Sequence, residues 1–243
     1  MDPLAMKPHG AALLAYFEGD RGAALVVRRD DGLESRIPVS HFFRKPPDFT
    51  RIERTALDLC VSPVLDAGAG TGLHSLTLRE RGLEVTAIDI CPEAVAVMIR
   101  RGLSDARRAD VFDFEGGPFA TVMLMGHGIG MVETLAGLGR FLTRVGPLLS
   151  RDGQVLLDSM DVRATNDPGH LAYHEARRRA GRYFGEIGLQ FGFAESMGPP
   201  CGWLQVDAGT LEEHAARAGY ACQVLAVEES GDYLARLTRA HAT

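Results

Sequence analysis

Cysteine is scarce in this chain of 243 residues, and the four cysteines are scattered. No CxxC pair occurs, and such pairs are the usual sign of a zinc knuckle or a redox motif. The sequence therefore argues against a disulfide framework, and a reducing cytoplasm is the expected location. It also predicts no metal site, because no His and Asp residues have a ligand-like spacing. The cysteines are Cys60, Cys91, Cys201 and Cys222.

Long apolar runs and an excess of positive charge are also absent. No stretch of about 18 uncharged apolar residues exists, so the sequence predicts no transmembrane helix. Residues 1–10 lack the apolar core of a signal peptide, so secretion is not expected. The chain carries 26 basic and 32 acidic residues, whereas a dedicated nucleic-acid binder usually carries a basic excess. We therefore expect no membrane or nucleic-acid partner, and the sequence leaves monomer and homodimer open.

What the chain does contain, from residue 62 onward, is an alternation of strand-like and helix-like segments. Apolar residues make up 46% of the chain, which is enough for one large core. Strands that alternate with helices indicate parallel strands joined by crossover helices. We therefore predict an α/β fold with a doubly wound, mostly parallel seven-stranded sheet whose last strand is antiparallel. The predicted strands lie at 62–68, 83–90, 106–111, 119–125, 153–158, 220–228 and 232–238.

Two segments fall outside this alternation. After a short predicted helix at 10–17, residues 23–39 contain two β-rich runs around a turn, which predicts a β-hairpin. Residues 161–207 contain a helix and two further β-rich runs, which predicts an insertion with a second hairpin. We divide the chain into an N-terminal lid, hairpin and helix (1–59) and a doubly wound domain (60–243) that carries the insertion.

The most informative segment is VLDAGAGTG, residues 64–72. A buried strand delivers Asp66 to its carboxyl end, and three glycines then turn the chain into a helix. Leu73 stands where the dinucleotide fingerprint GxGxxG requires glycine, and no GxxxxGK[ST] phosphate loop occurs. Asp89 ends the next strand, where a carboxylate can accept two hydrogen bonds from a ribose diol. The segment therefore predicts a ligand at the carboxyl ends of the strands.

These residues resemble those of the class I S-adenosylmethionine (SAM) dependent methyltransferases. The resemblance covers residues 60–160 and, by pattern, 205–238. It implies SAM as the cofactor, with the methionine end at the glycine loop, the ribose on Asp89 and the adenine beside Ile90 and Asp110. The cofactor-binding residues that it implies are Asp66, Ala67, Gly68, Gly70, Gly72, Asp89, Ile90, Asp110, Val111, Met125 and Gly126.

In that family the loop after the fourth strand faces the methyl group, and here this loop is MGHGIGM, residues 125–131. His127 is the side chain of this loop that titrates near neutrality, so we predict it as the catalytic residue. It could act as a general base, hydrogen-bond the SAM carboxylate, or cap a turn. The Asn/Asp-Pro-Pro-aromatic tetrapeptide of the nucleic-acid amino-methylating branch is absent, which argues against N-methylation of bases.

Recognition is expected in the insertion and in the N-terminal lid, because variable additions to a fixed sheet often carry specificity. On a helix, His174 and Arg178 share a face that could bind a substrate anion or could be a solvated surface. Trp203 could stack on a substrate or fill the core. The predicted substrate-binding residues are Tyr16, Tyr173, His174, Arg178 and Trp203.

The resemblance implies a SAM-dependent methyltransferase that acts on oxygen or nitrogen of a small-molecule metabolite by in-line displacement. The glycine loop indicates the cofactor and not the bond that breaks, so aminocarboxypropyl transfer and SAM cyclisation remain alternatives. A protein methyltransferase with an exposed groove is a third possibility, and a non-catalytic SAM-binding subunit is a fourth.

Overall fold

The computed structural model describes residues 1–240, and residues 241–243 at the end of the predicted domain 60–243 lie outside the described residues. The strands are β1 Ala24–Arg29, β2 Glu34–Pro38, β3 Val64–Ala67, β4 Val85–Asp89, β5 Ala106–Arg108, β6 Phe119–Leu124, β7 Leu149–Met160, β8 Glu186–Phe193, β9 Ser196–Met197, β10 Cys201–Leu204, β11 Tyr220–Val227 and β12 Asp232–Arg239. The α-helices are α1 Pro3–Glu18, α2 Arg51–Leu59, α3 Leu73–Glu80, α4 Pro92–Arg100, α5 Leu135–Val145, α6 Pro168–Arg179 and α7 Ala208–Arg217.

The main sheet has seven strands in the order β11-β12-β7-β6-β3-β4-β5. The pairs from β7 to β5 are parallel, whereas β12 is antiparallel to both of its neighbours. The predicted doubly wound, mostly parallel sheet with an antiparallel last strand is confirmed. Strand β7 begins before the predicted 153–158, because Leu149 already pairs with Phe119 ahead of a register shift. The carboxyl ends of β3, β4 and β6 form one edge of the sheet.

The two predicted hairpins join to form a second sheet. Its strands run in the order β10-β8-β1-β2, and the short β9 pairs with β8. Strand β1 is antiparallel to β8, which places Val27 opposite Phe191. The sequence predicts the two hairpins at 23–39 and within 161–207. It does not predict that β1 of the first pairs with β8 of the second. This pairing joins residues that are distant in the sequence, and no local pattern indicates such a contact.

Helix α1 begins well before the predicted 10–17 because its start is capped. Asp2 accepts a hydrogen bond from the Leu4 N–H at 2.9 Å, and a proline occupies the first helical position. Leu13 is fully buried in a cluster that includes residues of β8 and of α4. The helix therefore bridges the second sheet and the main domain. Within residues 1–240, no helix combines the length and the apolar character needed to cross a membrane.

Helix α2 begins in a capping box. The Thr50 hydroxyl accepts the Glu53 N–H at 3.1 Å, and the Glu53 carboxylate accepts the Thr50 N–H at 2.7 Å. Ile52 and Leu57 on the apolar face of the helix are buried in a cluster with Val64 of β3. The helix therefore packs on the main sheet, although it belongs to the predicted N-terminal unit 1–59. The position of the domain boundary stays a prediction.

A buried hydrogen bond ties β12 to the end of the insertion, and its contribution to stability can be measured. The Tyr233 hydroxyl donates to the Val206 carbonyl at 2.7 Å. We expect Tyr233→Phe to lower the free energy of unfolding by about 1 kcal/mol, because a buried carbonyl loses its partner. Urea denaturation measures the change. Tyr220→Phe is the matched control, since the residue is 6% exposed and its hydroxyl makes no hydrogen bond within residues 1–240. Equal losses in both variants would contradict the assignment.

Candidate active site

A cavity of about 400 Å³ lies between the two sheets, at the carboxyl ends of β3, β4 and β6. The glycine loop and the strand ends form its floor, and the second sheet forms its roof. Helix α1 and the segment 39–44 contribute further side chains to its lining. Open α/β sheets bind their ligands in this position, outside the carboxyl ends of the strands. The cavity is therefore the candidate active site.

The glycine loop presents bare backbone to the cavity. Gly68 and Gly70 have φ angles of 78° and 57°, in the left-handed region that favours glycine. The Gly70 N–H donates to Asp89 at 2.8 Å, which holds the loop against the end of β4. A Cβ at Gly68 would lie 2.7 Å from the Met131 side chain, whereas a Cβ at Gly70 would meet open space. The loop therefore fits a ligand that approaches the backbone closely.

Three carboxylates lie along the floor, at the ends of β3 and β4 and after β5. Asp66 is 2% exposed, burial raises its pKa, and the Ser75 hydroxyl donates to it at 2.6 Å. Asp89 accepts two backbone N–H groups of neighbouring loops, each at 2.8 Å. Asp110 accepts the Phe112 N–H at 2.9 Å. The three acids follow the strand order, so an elongated ligand can reach all of them. Among residues 1–240, no group of three or more His, Cys, Asp or Glu side chains is arranged to hold a metal ion.

His127 lies in the tight turn after β6, where its φ of 58° is in the left-handed region. Its N–H donates to Asp158 at the end of β7 at 2.9 Å. Ring atom Nε2 is 2.6 Å from the Asp232 carboxylate at the start of β12, and Nδ1 is 3.3 Å from the Gln205 amide nitrogen. Because a carboxylate only accepts, Nε2 carries the proton in the neutral ring and Nδ1 is the acceptor. His127 and Gln205 both line the cavity.

The two carboxylates around His127 tune its protonation. Burial disfavours the charged ring, but the hydrogen bond to Asp232 and the charges of Asp158 and Asp232 outweigh it and raise the pKa of His127 above its ordinary value. The same hydrogen bond lowers the pKa of Asp232. Burial raises the pKa of Asp158. The ring is therefore a stronger base than a free histidine, with an ionised partner behind it.

A second polar cluster joins α2, α3 and the segment 39–44. Glu53 Oε1 accepts hydrogen bonds from His74 Nε2 and Arg44 Nη2, both at 2.9 Å. Glu53 Oε2 accepts from Arg44 Nη1 at 3.1 Å and from the Thr50 N–H. Burial by itself raises the pKa of Glu53, but the hydrogen bonds from His74 and Thr50 and the Arg44 charge lower it to about 2. Glu53 is therefore an ionised carboxylate whose two oxygens are fully occupied.

The roof of the cavity is apolar. Side chains two residues apart share a face of a strand, so Ile187, Leu189 and Phe191 of β8 all reach the cavity. Trp203 of β10 packs edge-to-face on Phe191, with 5.8 Å between ring centroids. It also lies against the bare backbone of Gly130, where a Cβ would be 2.1 Å from the indole. The roof residues are Leu25, Val27, Ile37, Ile187, Leu189, Phe191 and Trp203.

Most of the predicted cofactor residues line this one cavity, together with His127 and Trp203. Ala67 does not, because it is buried in the core of the main sheet. Gly72 does not either, because it is the N-cap of α3 and faces Met98. The lining cofactor candidates are Asp66, Gly68, Gly70, Asp89, Ile90, Asp110, Val111, Met125 and Gly126.

Four predicted substrate residues lie outside the lining and have other partners. Tyr16 packs on an aromatic ring of the segment 39–44, with 4.8 Å between centroids. The Tyr173 hydroxyl donates to the Asp30 carboxylate at 2.7 Å, which ties α6 to the first hairpin. His174 and Arg178 both contact the ring of Phe184. The anion-binding face predicted on α6 therefore does not reach the cavity, because it packs on an aromatic ring of its own segment.

The fold also brings to the site Gln205, Asp232 and Glu53, which are not among the residues predicted from the sequence. Asp232 opens β12, and an antiparallel strand begins at the edge where its parallel neighbours end. Its position at the start of the antiparallel strand therefore indicates that it lies near the candidate site. Gln205 is held 3.5 Å from the Ser159 hydroxyl, and Glu53 caps α2. No local pattern marks these two residues as part of a site.

The fold and the cavity define an enzyme that binds a nucleoside-containing cofactor on a glycine loop. Residues 64–153 match a family described as a methyltransferase domain. A SAM-dependent methyltransferase from Bacteroides fragilis, solved in complex with S-adenosyl-L-homocysteine (SAH), is 34% identical. Its TM-score is 0.86, and the match covers 98% of this chain and 96% of that chain. This chain belongs to the class I SAM-dependent methyltransferases, and SAM is its cofactor.

More distant similarities carry less information. The ubiquinone biosynthesis O-methyltransferase of Xanthomonas oryzae pv. oryzae is 44% identical over 54 residues, which is 22% of this chain. The match spans only 23% of that curated relative's length. The CcbJ methyltransferase of Streptomyces caelestis is 13% identical, with a TM-score of 0.61, over 82% of this chain and 92% of that chain. The last comparison shows the shared fold alone.

The carboxylate at the end of β4 provides a direct test of the cofactor site. Asp89→Ala should raise the dissociation constant of SAH at least tenfold, about 1.4 kcal/mol, because a ribose partner and the anchor of the glycine loop are both lost. Isothermal titration calorimetry measures the change. Asp105→Ala is the control, since that acid pairs with Arg107 outside the lining. Unchanged affinity in Asp89→Ala would remove the ribose assignment.

Proposed function

We propose that this enzyme methylates a weakly acidic hydroxyl group on an uncharged, largely apolar small molecule. The observation that carries the proposal is the 2.6 Å hydrogen bond between His127 and Asp232 beside the cavity. A histidine backed by an ionised carboxylate is the arrangement of a general base. Its unprotonated Nδ1 lies next to the Gln205 amide, which an acceptor hydroxyl could replace.

The strength of this base selects the acceptor. A phenol has a pKa of about 10 and free imidazole one of about 6.5, so proton transfer is uphill by roughly 5 kcal/mol. A hydroxyl as weakly acidic as water, with a pKa of about 15.7, would cost more than twice as much. A neutral amine is nucleophilic already and needs no base for the attack. The dyad therefore favours a phenol-like or enol-like oxygen over an alcohol or an amine.

The cofactor residues fit SAM, whose sulfonium carries the methyl group that is transferred. Gly68, Gly70 and Asp66 would hold its methionine end, Asp89 the ribose, and Asp110 with its neighbours the adenine. With SAM bound, His127 Nδ1 would accept the hydroxyl proton of the acceptor, and SAM would supply the methyl group to that oxygen and leave as SAH. Asp232 balances the charge of the imidazolium until that proton passes to water. Proximity in the enclosed cavity can supply about 7–11 kcal/mol of the rate enhancement.

The lining supports an uncharged acceptor. Of the described residues, Arg44 is the one arginine or lysine in the lining, and hydrogen bonds already use its five N–H groups. An acceptor carboxylate or phosphate would therefore find no free guanidinium. The second sheet covers the floor, which supports a small molecule over a protein side chain. The name of the Xanthomonas relatives, O-methyltransferase, agrees with transfer to oxygen.

Removal of the base should separate chemistry from cofactor binding. We expect His127→Asn to lower kcat at least a hundredfold, the usual contribution of a general base, with SAH affinity within about twofold of the wild type. Steady-state kinetics and calorimetry provide the two measurements. His214→Asn on α7 is the control, because that histidine lies outside the lining. An equal loss of turnover and affinity would make His127 a cofactor-binding residue instead.

The carboxylate behind the base should control the pH dependence. His127 is active when neutral, so kcat should fall as the pH decreases through its raised pKa. Asp232→Asn removes the partner that raises this pKa, and burial then favours the neutral ring. We therefore expect the acidic limb of the pH–kcat profile to move to lower pH while the maximal rate falls. An unchanged limb would show that the titrating group lies elsewhere.

Matched acceptors test the proposal as a whole. The enzyme with methyl-labelled SAM would be offered a phenol, the corresponding aniline, the benzyl alcohol and a carboxylated phenol of the same ring size. We expect label in the neutral phenol above all others. Preference for the aniline would establish N-methylation, and label only in macromolecules of a whole lysate would establish a polymer acceptor. Either result would overturn the proposal.

A further inference from the structure

We propose that Trp203 determines the shape of the acceptor, by holding it as a planar ring stacked on the free face of the indole. The side chain is partly exposed and lines the cavity. This role deepens the proposed function and rests on its small-molecule acceptor, but it involves neither the base nor the bond that breaks. Of the two roles that the sequence leaves open for Trp203, it selects the substrate contact over the core side chain.

Bare backbone covers one face of the indole. A Cβ at Gly130 would lie 2.1 Å from both Cε2 and Nε1 of Trp203 and 2.6 Å from Cδ1. Because all three neighbouring atoms are this close, the glycine lies over the face of the five-membered ring and not beside its edge. Gly130 is buried and does not line the cavity, so the indole separates it from the cavity. The opposite face of the indole is therefore the one that a ligand can reach.

Apolar side chains of β8 hold the indole in this orientation. Ile187 lies directly opposite Trp203 in the antiparallel ladder, so the two side chains share a face of the second sheet. Phe191 packs edge-to-face on the indole, with an angle of 69° between the ring planes. The side chains that β8 contributes to the lining, Ile187, Leu189 and Phe191, carry no charge. The free face therefore presents an apolar π surface, on which planar rings stack favourably.

The indole and the base are positioned by the same turn and the same strand. The Gly130 N–H donates to the His127 carbonyl at 2.8 Å. Gln205, whose amide is next to His127 Nδ1, follows Trp203 by two residues, and its N–H continues the strand pairing by donating to the Gly185 carbonyl at 2.8 Å. Residues two apart in an extended strand share a face and lie about 7 Å apart. A single ring on the indole therefore brings its hydroxyl group to the base.

Compounds that differ in the shape of the ring test this role. Calorimetry on the SAH complex would compare 4-methylphenol, its saturated counterpart 4-methylcyclohexanol, and 4-methylanisole, which has the planar ring but no hydroxyl proton. We expect the wild type to bind the two planar compounds about fivefold more tightly than the saturated one. Trp203→Leu should abolish this preference and leave SAH affinity within about twofold, whereas Trp203→Phe should retain part of it. Phe184→Leu is the control, because that ring lies in the same insertion but outside the lining.

A second variant moves the indole without removing it. Gly130 does not have a positive φ, so alanine adds no backbone strain there, but its Cβ displaces the indole toward the cavity. Gly130→Ala should weaken 4-methylphenol binding about fivefold in the wild type and cause no further loss in Trp203→Leu, which is the non-additivity expected of residues in contact. Because the chain has one tryptophan, quenching of its emission by 4-methylphenol reports the contact directly.

The outcomes separate this role from the proposed function. Equal affinity of the wild type for the planar and saturated compounds would overturn the stacking proposal, and so would an unchanged preference in Trp203→Leu. Loss of SAH binding together with 4-methylphenol binding in both Trp203→Leu and Gly130→Ala would make the indole a structural side chain, which also overturns it. Selective binding of both planar compounds without methyl transfer to 4-methylphenol would support the stacking role and overturn the proposed function instead.

Discussion

The chemistry that we propose for this enzyme depends on one hydrogen bond, the 2.6 Å contact between His127 Nε2 and Asp232. It selects the ring tautomer, directs Nδ1 toward Gln205 and supplies the charge that stabilises the protonated ring. The contact exists because β12 runs antiparallel to β7 and so begins at the edge where β6 and β7 end. A parallel last strand would start at the opposite edge of the sheet. The antiparallel strand therefore positions the proposed base as well as closing the sheet.

The second constraint is the roof. Strands from two distant hairpins pair over the carboxyl edge of the main sheet, and their inner faces are apolar. The lining arginine is saturated by Glu53, His41 and Asp48. An apolar roof without a free guanidinium admits uncharged molecules more readily than anions. The same Glu53 orients His74, so one carboxylate links the segment 39–44 to helix α3.

The parts that could be predicted from the sequence are those with a local signal. Apolar runs separated by amphipathic segments indicated the doubly wound sheet, and the single turn at Gly231 indicated its antiparallel last strand. The acid–glycine pattern around Asp66 and the acid Asp89 indicated the cofactor, because tight turns and ribose contacts require those residue types. The basic residues of helix α6 predicted a ligand contact, and in the fold His174 and Arg178 lie against Phe184, outside the lining of the cavity.

By itself, then, the sequence determined the fold class, the family and the cofactor, since each depends on short-range patterns that a linear chain displays. The tertiary structure alone decided which polar groups meet in the cavity. Asp232 reaches His127 across 105 residues, and His74 reaches Glu53 across 21. Both pairs form because the sheet brings separate strand and helix ends to one edge. A contact of that kind depends on the packing of whole elements and leaves no pattern among neighbouring residues.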